Sequence, residues 1–323
     1  MLEVITFGSA ALDVFVPYNK KLDLFKKDER KSPFLPLGMK LESVEIDFFP
    51  GGGGFNGAAT FSNQGIKVAY CGTIGEDFAG QFILEELKKS GINSNFVFQT
   101  NQKKTNCSVI FTGKEGKAIL PYRGASKCLK FKDIPLDNFK NSKWFYLAPL
   151  SGELEEDFIK IIDFAKENNI KTFLNPGKQQ LKSSTIKEAI KKVDVLMMNQ
   201  EEASFLTKIP FKKEKEIFKE VNQLVNGLFI MTQGKEGSLA SDGQFLYKAP
   251  ILEAEIVDET GTGDSFGAGF VSSYLKNSDI ELALQFAMAN SAANLKEMGA
   301  KEGILQKDDN WSKVKIEKEK LNF

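Results

Sequence analysis

A short segment near the end of the chain sets one aspartate among closely spaced glycines. The segment from Asp258 to Phe270 reads Asp-Glu-Thr-Gly-Thr-Gly-Asp-Ser-Phe-Gly-Ala-Gly-Phe. Gly261 and Gly263 let the backbone point several N–H groups at one spot, and that spot lies at the start of a helical pattern, where anions are favoured. Asp264 beside such an anion makes sense as a general base that takes a proton from a hydroxyl attacking a phosphoryl group. The segment therefore indicates phosphoryl transfer.

The same residues also allow a plainer interpretation. An aspartate after a glycine turn caps a helix and stabilises it by about 1 kcal/mol. The density of glycine around Asp264, followed by Gly267-Ala268-Gly269, favours the catalytic interpretation. Neither common nucleotide fingerprint is present, because the segment lacks the GxxxxGKS/T pattern and Phe266 stands where GxGxxG needs its third glycine.

Composition restricts the chemistry further. The chain has no histidine, which excludes Ser-His-Asp and Cys-His nucleophiles and histidine-ligated zinc, so Asp, Glu, Lys, Tyr or Cys must move protons. Lys plus Arg equals Asp plus Glu at 43 each, which argues against nucleic-acid binding. The three cysteines form no CxxC pair, and we find neither a signal-peptide pattern nor an apolar run of membrane-spanning length. We expect a cytoplasmic protein with reduced thiols and no membrane contact.

At this point the chain resembles a known family, the ribokinase-like (PfkB) carbohydrate kinases. Residues Asp258 to Asp264 are similar to its DTxGAGD signature, with Glu259 and Thr262 as departures. The resemblance implies an ATP-dependent kinase that phosphorylates a hydroxymethyl group of a ribose-like sugar or a nucleoside. It implies Asp264 as the base and the backbone amides of Gly261, Thr262, Gly263 and Asp264 as the anion hole.

The substrate side of the site is expected near the amino-terminal end. The run Gly51-Gly52-Gly53-Gly54-Phe55-Asn56 is similar to the family's GGxxxN signature, which implies that Gly52, Gly53 and Asn56 bind the sugar; alone, the run would also fit a flexible loop before a helix opening at Ala58. Asp13 follows the first predicted strand, at the end where open α/β sheets bind ligands, and the resemblance makes it a substrate ligand rather than a turn residue. Phe55 would slightly favour a nucleoside if its ring stacked on a base.

Arg123 is one of only two arginines among many lysines, the other being Arg30. A planar guanidinium at the end of the predicted hairpin would suit substrate hydroxyls or a substrate phosphate, although a surface arginine is equally compatible. A phosphosugar acceptor would need more cations than Arg123, so we rank it below a sugar or a nucleoside.

The nucleotide side is predicted from three further segments. Asn199-Gln200-Glu201-Glu202 resembles the family's NxxE motif, which implies Asn199 near the phosphates and Glu202 acting through water on Mg²⁺; a helix cap with acidic first-turn residues is the alternative. The segment from Thr232 to Gly237 is similar to the TxGxxG nucleotide loop. The resemblance assigns Thr232, Gly234 and Gly237 to nucleotide binding and Asn290 to the adenine pocket. It also assigns Asp258, together with the Gly299 region, to a site for a monovalent cation such as K⁺.

These residues need a framework of alternating strands and helices. Short apolar runs alternate with helical patterns, which predicts an α/β fold with three αβα layers around a mainly parallel sheet. The predicted strands are Val4–Phe7, Val68–Cys71, Trp144–Leu147, Thr172–Leu174, Val193–Met198, Leu228–Met231 and a strand-like stretch at Ala254–Val257. We also expect Asp77 to cap a helix over Ala79–Ser90.

Two segments interrupt this rhythm and predict a small inserted β-sheet lid. Residues 14–49 lack a helical period, and residues 104–123 read as a hairpin with its turn at Gly113–Gly116. The ribokinase-like core then comprises residues 1–13, 50–103 and 124–310, followed by a tail over 311–323. Part of the lid, mainly 18–38, also fits a surface loop. Alternating Val44, Ile46 and Phe48 need cover, which predicts a homodimer through the lid.

A second functional class stays open at this stage. A non-catalytic sugar or nucleotide sensor would use the same fold, but it would have no use for the base at Asp264. ADP formation with any acceptor separates the two.

Overall fold

The computed structural model describes residues 1–17, 24–27, 30–33, 38, 45–113 and 116–321, with the side chains of 24–27 and 30–33 left out. Its strands are β1 (Val4–Phe7), β2 (Ala11–Pro17), β3 (Leu24–Lys27), β4 (Arg30–Pro33), β5 (Asp47–Gly51), β6 (Val68–Gly75), β7 (Asn93–Thr100), β8 (Asn106–Gly113), β9 (Gly116–Tyr122), β10 (Trp144–Leu147), β11 (Lys171–Leu174), β12 (Val195–Asn199), β13 (Leu228–Thr232), β14 (Ser238–Ser241), β15 (Phe245–Ala249) and β16 (Glu317–Lys320). Its α-helices are α1 (Gly53–Asn63), α2 (Phe78–Lys89), α3 (Leu154–Glu167), α4 (Ile186–Lys192), α5 (Gln200–Thr207), α6 (Glu214–Asn222), α7 (Thr262–Asn277) and α8 (Ile280–Asn294).

A large sheet of ten strands forms the centre of the described chain, in the order β16-β15-β14-β13-β12-β11-β10-β1-β6-β7. The seven strands from β13 to β7 run parallel, and β14, β15 and β16 extend the sheet as an antiparallel edge. Because the chain moves outward from β1 to β7 and then returns to the other side of β1 with β10, the order reverses between β1 and β10. Ligands of open α/β sheets bind at such a reversal.

Each face of the sheet carries its own apolar core. Side chains alternate along a strand, so Val4, Tyr146 and Ile230 pack on the face covered by α1, α2, α7 and α8. Ile5 and Phe145 face the other way, toward α3, α4, α5 and α6. The predicted three-layer α/β fold is thereby confirmed, as are the strands Val4–Phe7 and Trp144–Leu147. Asp77 caps α2 as predicted, since its side chain accepts a hydrogen bond from the Gly80 amide.

The lid is a second sheet of four strands, in the order β5-β2-β8-β9. The predicted hairpin is present as antiparallel β8 and β9, and β2 runs parallel to β8. The first lid strand begins at Ala11, before the expected boundary, so Asp13 belongs to the lid sheet itself. A separate antiparallel pair, β3 and β4, lies within the segment 14–49. The segment 18–38, for which a surface loop was the alternative, lies largely outside the described residues. Val44 also lies outside them.

Three expectations about elements are wrong. Ala254–Val257 forms no strand, since residues 250 to 259 run without regular structure. Helix α1 begins at Gly53 instead of Ala58, which places Asn56 inside its first turn. The expected tail over 311–323 instead supplies β16, which pairs with β15 because an exposed sheet edge offers unpaired backbone groups. In the part of the chain that the structure describes, no helix has the length and apolarity to cross a bilayer.

Candidate active site

The site residues gather above the strand reversal between β1 and β10. Gly8 and Ser9 follow β1, and Ala148 follows β10. The first amides of α1 approach them closely, since the Gly54 and Phe55 amides both donate to the Ser9 carbonyl, at 3.1 and 3.2 Å. This contact places the N-terminus of α1 directly over the crevice where the sequence predicted a ligand.

Neighbouring protein atoms account for several of the glycines before α1. Gly52 has φ +93°, and a Cβ there would lie 2.6 Å from the Ser9 carbonyl oxygen. A Cβ on Gly51 would collide with the Asp13 carboxylate, and one on Gly53 would lie 3.2 Å from Oδ1 of Asp264. The run therefore leaves room for two carboxylates as well as for a ligand. Phe55 is fully buried in the core, so the idea that its ring stacks on a base is wrong.

Asp264 occupies the first turn of α7, and the segment 261–264 is called the core wall here. Gly261 adopts φ +78°, and a Cβ there would collide with the Ala300 carbonyl, so this turn requires glycine. Among the described residues, no acceptor is found for the Gly263 and Asp264 amides, and a Cβ on Gly263 would meet nothing within 4 Å. These free amides at a helix N-terminus form the donors that an anion needs.

Asn56 holds the Asp264 carboxylate from the neighbouring helix. Its Nδ2 donates to Oδ2 of Asp264 at 2.8 Å, across 208 positions of sequence. Burial raises the pKa of Asp264, and the Asn56 hydrogen bond opposes that rise. Oδ1 of Asn56 is buried and has no partner among the described residues, so it is available to a hydroxyl placed beside Asp264. Asn56 was expected to bind the sugar, and the contact with Asp264 is an addition to that expectation.

Asp13 approaches the same space from the lid, and Asp13 with its neighbour Ser108 is called the lid wall here. Asp13 is 5% exposed and pairs across strands with Ser108, whose side chain hydrogen-bonds to it. Burial, with a smaller contribution from the charges of Asp258 and Asp264, raises the pKa of Asp13 to about 6, against the Ser108 hydrogen bond and the Lys117 charge. The Asp13 carboxylate thus lies within electrostatic range of both Asp258 and Asp264.

A cavity of about 420 Å³ adjoins the core wall. Its polar lining contains four of the five predicted nucleotide residues, namely Asn199, Thr232, Gly234 and Gly237, together with Thr262 and Gly263 of the predicted anion hole. Its apolar lining comes from residues for which the sequence gave no signal, namely Ile251, Leu252, Ile256, Met288 and Leu295. An apolar recess beside free helix amides has the chemistry that a nucleotide requires, with aliphatic side chains for a base and N–H donors for phosphates.

Asn290 does not line this cavity. It is fully buried on the inner side of α8, where its Nδ2 donates to the Ser265 carbonyl at 2.7 Å and its Oδ1 accepts from the Leu305 amide at 2.9 Å. Both ends of its amide are therefore occupied by backbone. The helical period turns Asn290 inward and places Ser291 and Ala292 on the cavity instead.

Asn199 and Glu202 form a capping box at the start of α5. Asn199 Oδ1 accepts from the Glu202 amide at 2.8 Å, and Glu202 Oε2 accepts from the Asn199 amide at 2.9 Å. The alternative interpretation as a helix cap is therefore correct as far as it goes. Burial raises the pKa of Glu202 in spite of this bond, and the charges of Glu201 and Asp264 add to the rise. A cation bound here would therefore stabilise the charged form of Glu202.

Two cationic side chains of the lid hairpin, Arg123 and Lys117, have different surroundings. Arg123 is exposed at the end of the hairpin, and among the described residues no hydrogen bond or ion pair to its guanidinium is found. Lys117, which no motif singled out, places its ammonium 3.2 Å from Oδ1 of Asp258. Nothing in the sequence distinguishes this lysine from the many others, because its partner lies 141 positions away.

Comparison with known proteins gives similarities over most of the chain. The family model described as pfkB family carbohydrate kinase matches residues 23–307. A ribokinase of Lactococcus lactis is 29% identical over 320 residues, 98% of each chain, and a ribokinase of Bacillus subtilis is 26% identical over 306 residues, 94% of this chain and 96% of the relative. A solved structure of Arabidopsis thaliana ribokinase, complexed with ribose and ATP, has a TM-score of 0.77 at 22% identity and covers 95% of this chain and 97% of its own.

Proposed function

The chain belongs to the pfkB family of carbohydrate kinases and is a phosphotransferase, and we propose that it transfers the γ-phosphoryl group of ATP to a hydroxymethyl group of a ribose-like sugar. The observation that carries this proposal is the Asp264 carboxylate, held by Asn56 beside free helix amides and within electrostatic range of Asp13. Few other reactions need a base, an anion hole and a second hydroxyl acceptor in one volume.

Asp264 is the residue that we assign as the general base. A raised pKa brings its carboxylate nearer to working pH, where a base accepts a proton most effectively. Asn56 orients that carboxylate, so the oxygen not bonded to Asn56 can receive the proton of the acceptor hydroxyl. The amides of Gly263 and Asp264 stabilise charge that develops on the transferred group.

Asp13 and Asn56 are the residues that we assign to acceptor binding. A carboxylate accepts two hydroxyl hydrogen bonds, and the free Oδ1 of Asn56 accepts one more. These acceptors suit a neutral polyol. A phosphosugar is disfavoured because Arg123 is exposed and the Lys117 ammonium is paired with Asp258. A nucleoside loses its main support because Phe55 is buried in the core.

Glu202 is the residue that we assign to Mg²⁺, through water. Within the described residues no cluster of three or more carboxylates and thiols is placed to hold a metal, so the protein offers one carboxylate rather than a cage. That arrangement fits an ion that keeps several waters and binds phosphate oxygens. When bound, Mg²⁺ supplies positive charge to the phosphates.

The outer face of the lid supports a homodimer. Phe48, Val14, Val109 and Leu120 form one row across all four lid strands, on the face opposite to the row that contains Asp13. Phe48 is 54% exposed and Leu120 67%. An apolar row of this extent on a sheet face is best covered by a second copy of the same lid.

The dimer is tested by light scattering. Phe48→Glu should reduce the mass at micromolar concentration from a dimer to the 35.9 kDa chain. Phe211→Glu is the matched control, since Phe211 is 55% exposed and lies away from the lid. A wild-type protein that is monomeric in this measurement would exclude the dimer.

The kinase proposal is tested by ADP release from ATP–Mg²⁺ over a panel of acceptors. Ribose, fructose, adenosine, cytidine, guanosine, 2-keto-3-deoxygluconate and fructose 6-phosphate represent the competing classes. We expect ribose or a close relative to give the highest kcat/KM. Asp264→Asn should lower kcat by about 10²–10⁴-fold, the usual cost of a lost general base.

Two results would overturn these assignments. Wild-type turnover by Asp264→Asn would remove the base from that position. Turnover of fructose 6-phosphate above every neutral sugar would show that the site supplies phosphate-binding charge that we do not assign.

A further inference from the structure

The lid hairpin places a cation on the turn that precedes the core wall. Lys117 lies on β9, and its Nζ is 3.2 Å from Oδ1 of Asp258 and donates to Oγ1 of Thr260 at 2.8 Å. The Asp258 side chain is 5% exposed and the Lys117 side chain 26%, so water screens this pair only in part. Gly261, which begins the core wall, follows Thr260 directly.

Protein donors already reach both oxygens of the Asp258 carboxylate. Oδ1 also accepts from the amide and the hydroxyl of Thr260, at 3.2 and 2.8 Å. Oδ2 accepts from the Gly299 amide at 3.2 Å. A K⁺ ion bound to this carboxylate would lie beside the Lys117 ammonium, and the two positive charges would repel each other. The residues present therefore do not fit the monovalent cation that the sequence led us to expect at Asp258.

We propose that Lys117 is a positioning residue that takes the place of that cation. Its ammonium neutralises Asp258 and holds the Asp258–Thr260 turn, and thereby the start of the core wall. Because Lys117 belongs to the lid, the same ion pair links the lid to the core wall. This inference rests on the proposed kinase function for its effect on turnover, whereas the ion pair itself does not depend on that function.

A tethered ammonium differs from a dissolved cation in one measurable way. It is present at every salt composition. The stability and the turnover of the wild-type protein should therefore be the same in K⁺ and in a bulky cation at the same ionic strength. Removing it leaves a buried carboxylate unpaired, and a small cation from solution can then bind the folded state and stabilise it.

The test compares wild type, Lys117→Met and Lys117→Arg in potassium, ammonium and tetramethylammonium chloride at constant ionic strength. Thermal unfolding is the first readout. We expect the wild-type Tm to be the same in all three salts, and the Lys117→Met Tm to rise when K⁺ or NH₄⁺ replaces tetramethylammonium. Lys117→Arg keeps the charge and should stay insensitive to the salt. Lys103→Met, an exposed lysine at the root of the same hairpin, is the matched control.

Turnover is the second readout. In tetramethylammonium, Lys117→Met should lose about tenfold in kcat, within the usual range of coupling between two sites, and K⁺ or NH₄⁺ should restore it. Wild-type activation by K⁺ would overturn the proposal, and so would a Lys117→Met variant with the same Tm and the same kcat in every salt. If the wild type shows no kinase activity, the proposed function fails, while the Tm comparison still decides the role of Lys117.

Discussion

The core wall and the lid wall differ in how the rest of the protein supports them. The core wall begins α7, which lies between the large sheet and α8 and has almost no exposed side chain along its middle turns. The lid wall lies on a sheet that covers the site with one face and leaves the other apolar and exposed. The chemistry that we propose is therefore built on the layer that close packing makes rigid, and the proposed acceptor recognition on the layer with less support, where variation costs less stability.

The small residues of α7 explain part of that rigidity. A Cβ on Gly267 would lie 2.8 Å from the Phe173 ring, and one on Gly269 would lie 3.3 Å from Asn290. The run Gly267-Ala268-Gly269 thus lets the helix approach the sheet on one side and α8 on the other. The sequence counted this run in favour of a catalytic Asp264, whereas the structure shows its glycines in close packing contacts.

The largest effects are expected from two substitutions, one that adds a side chain against the core wall and one that adds a side chain against the lid wall. In Gly53→Val, the branched side chain lies against Asp264 and should lower kcat by roughly 10²-fold, as a displacement near 1 Å does. In Gly51→Ala, the added methyl collides with the Asp13 carboxylate and should mainly raise the KM for the acceptor. Steady-state kinetics with both substrates varied separates the two effects.

These two variants serve as controls for each other. Both glycines lie next to the N-terminus of α1, so a general disturbance of that helix would change kcat and KM alike in both. Equal losses in the two variants would mean that the walls do not have separate roles. Thermal unfolding of each variant checks that the fold is intact.

The next test concerns the ionisation of Asp13 on the lid wall. Its pKa is about 6 in the folded protein and near 3.8 in the unfolded chain, so the charged form is disfavoured by folding. The cost amounts to about 3 kcal/mol above pH 6 and disappears as the pH falls from 6 to below 4. Asp13→Asn should therefore raise the free energy of unfolding by up to about 3 kcal/mol at pH 8, and hardly at all at pH 4.

The same substitution should weaken acceptor binding, because Asn accepts fewer hydroxyl hydrogen bonds than a carboxylate. In the wild type, the KM for the acceptor should rise as the pH falls through 6. Denaturant titrations at pH 4 and pH 8 measure the stability part. An Asp13→Asn variant that is equally stabilised at both pH values would contradict the raised pKa.

The smallest expected effect lies behind the core wall, at Asn290. Asn290→Ala removes two buried hydrogen bonds, to Ser265 and from Leu305, and should lower the free energy of unfolding by roughly 1–3 kcal/mol. Its KM for ATP should stay near the wild-type value, because the side chain does not reach the cavity. Ser291→Ala, which changes a cavity residue whose hydroxyl donates to the Thr262 carbonyl at a long 3.4 Å, should cost less stability. A large rise in the KM for ATP with Asn290→Ala and no loss of stability would return this residue to the nucleotide site.

The sequence by itself determined the features that depend on neighbours along the chain. The alternation of apolar strands and amphipathic helices predicted three layers, because side-chain periodicity reports which face of an element is buried. The glycine turn before Asp264 and the cap at Asp77 were predictable for the same reason, since a few adjacent residues decide each of them.

Only the tertiary structure decided the contacts between distant segments. Asn56 reaches Asp264 over 208 positions and Lys117 reaches Asp258 over 141, and neither pair has a local signature. Whether Asn290 faced the cavity or the core depended on how α7 and α8 pack, and this packing turned it inward. Periodicity fixes which side of a helix is buried, but the partner on that side is set by how the layers assemble, and the site of this protein is formed where those layers meet.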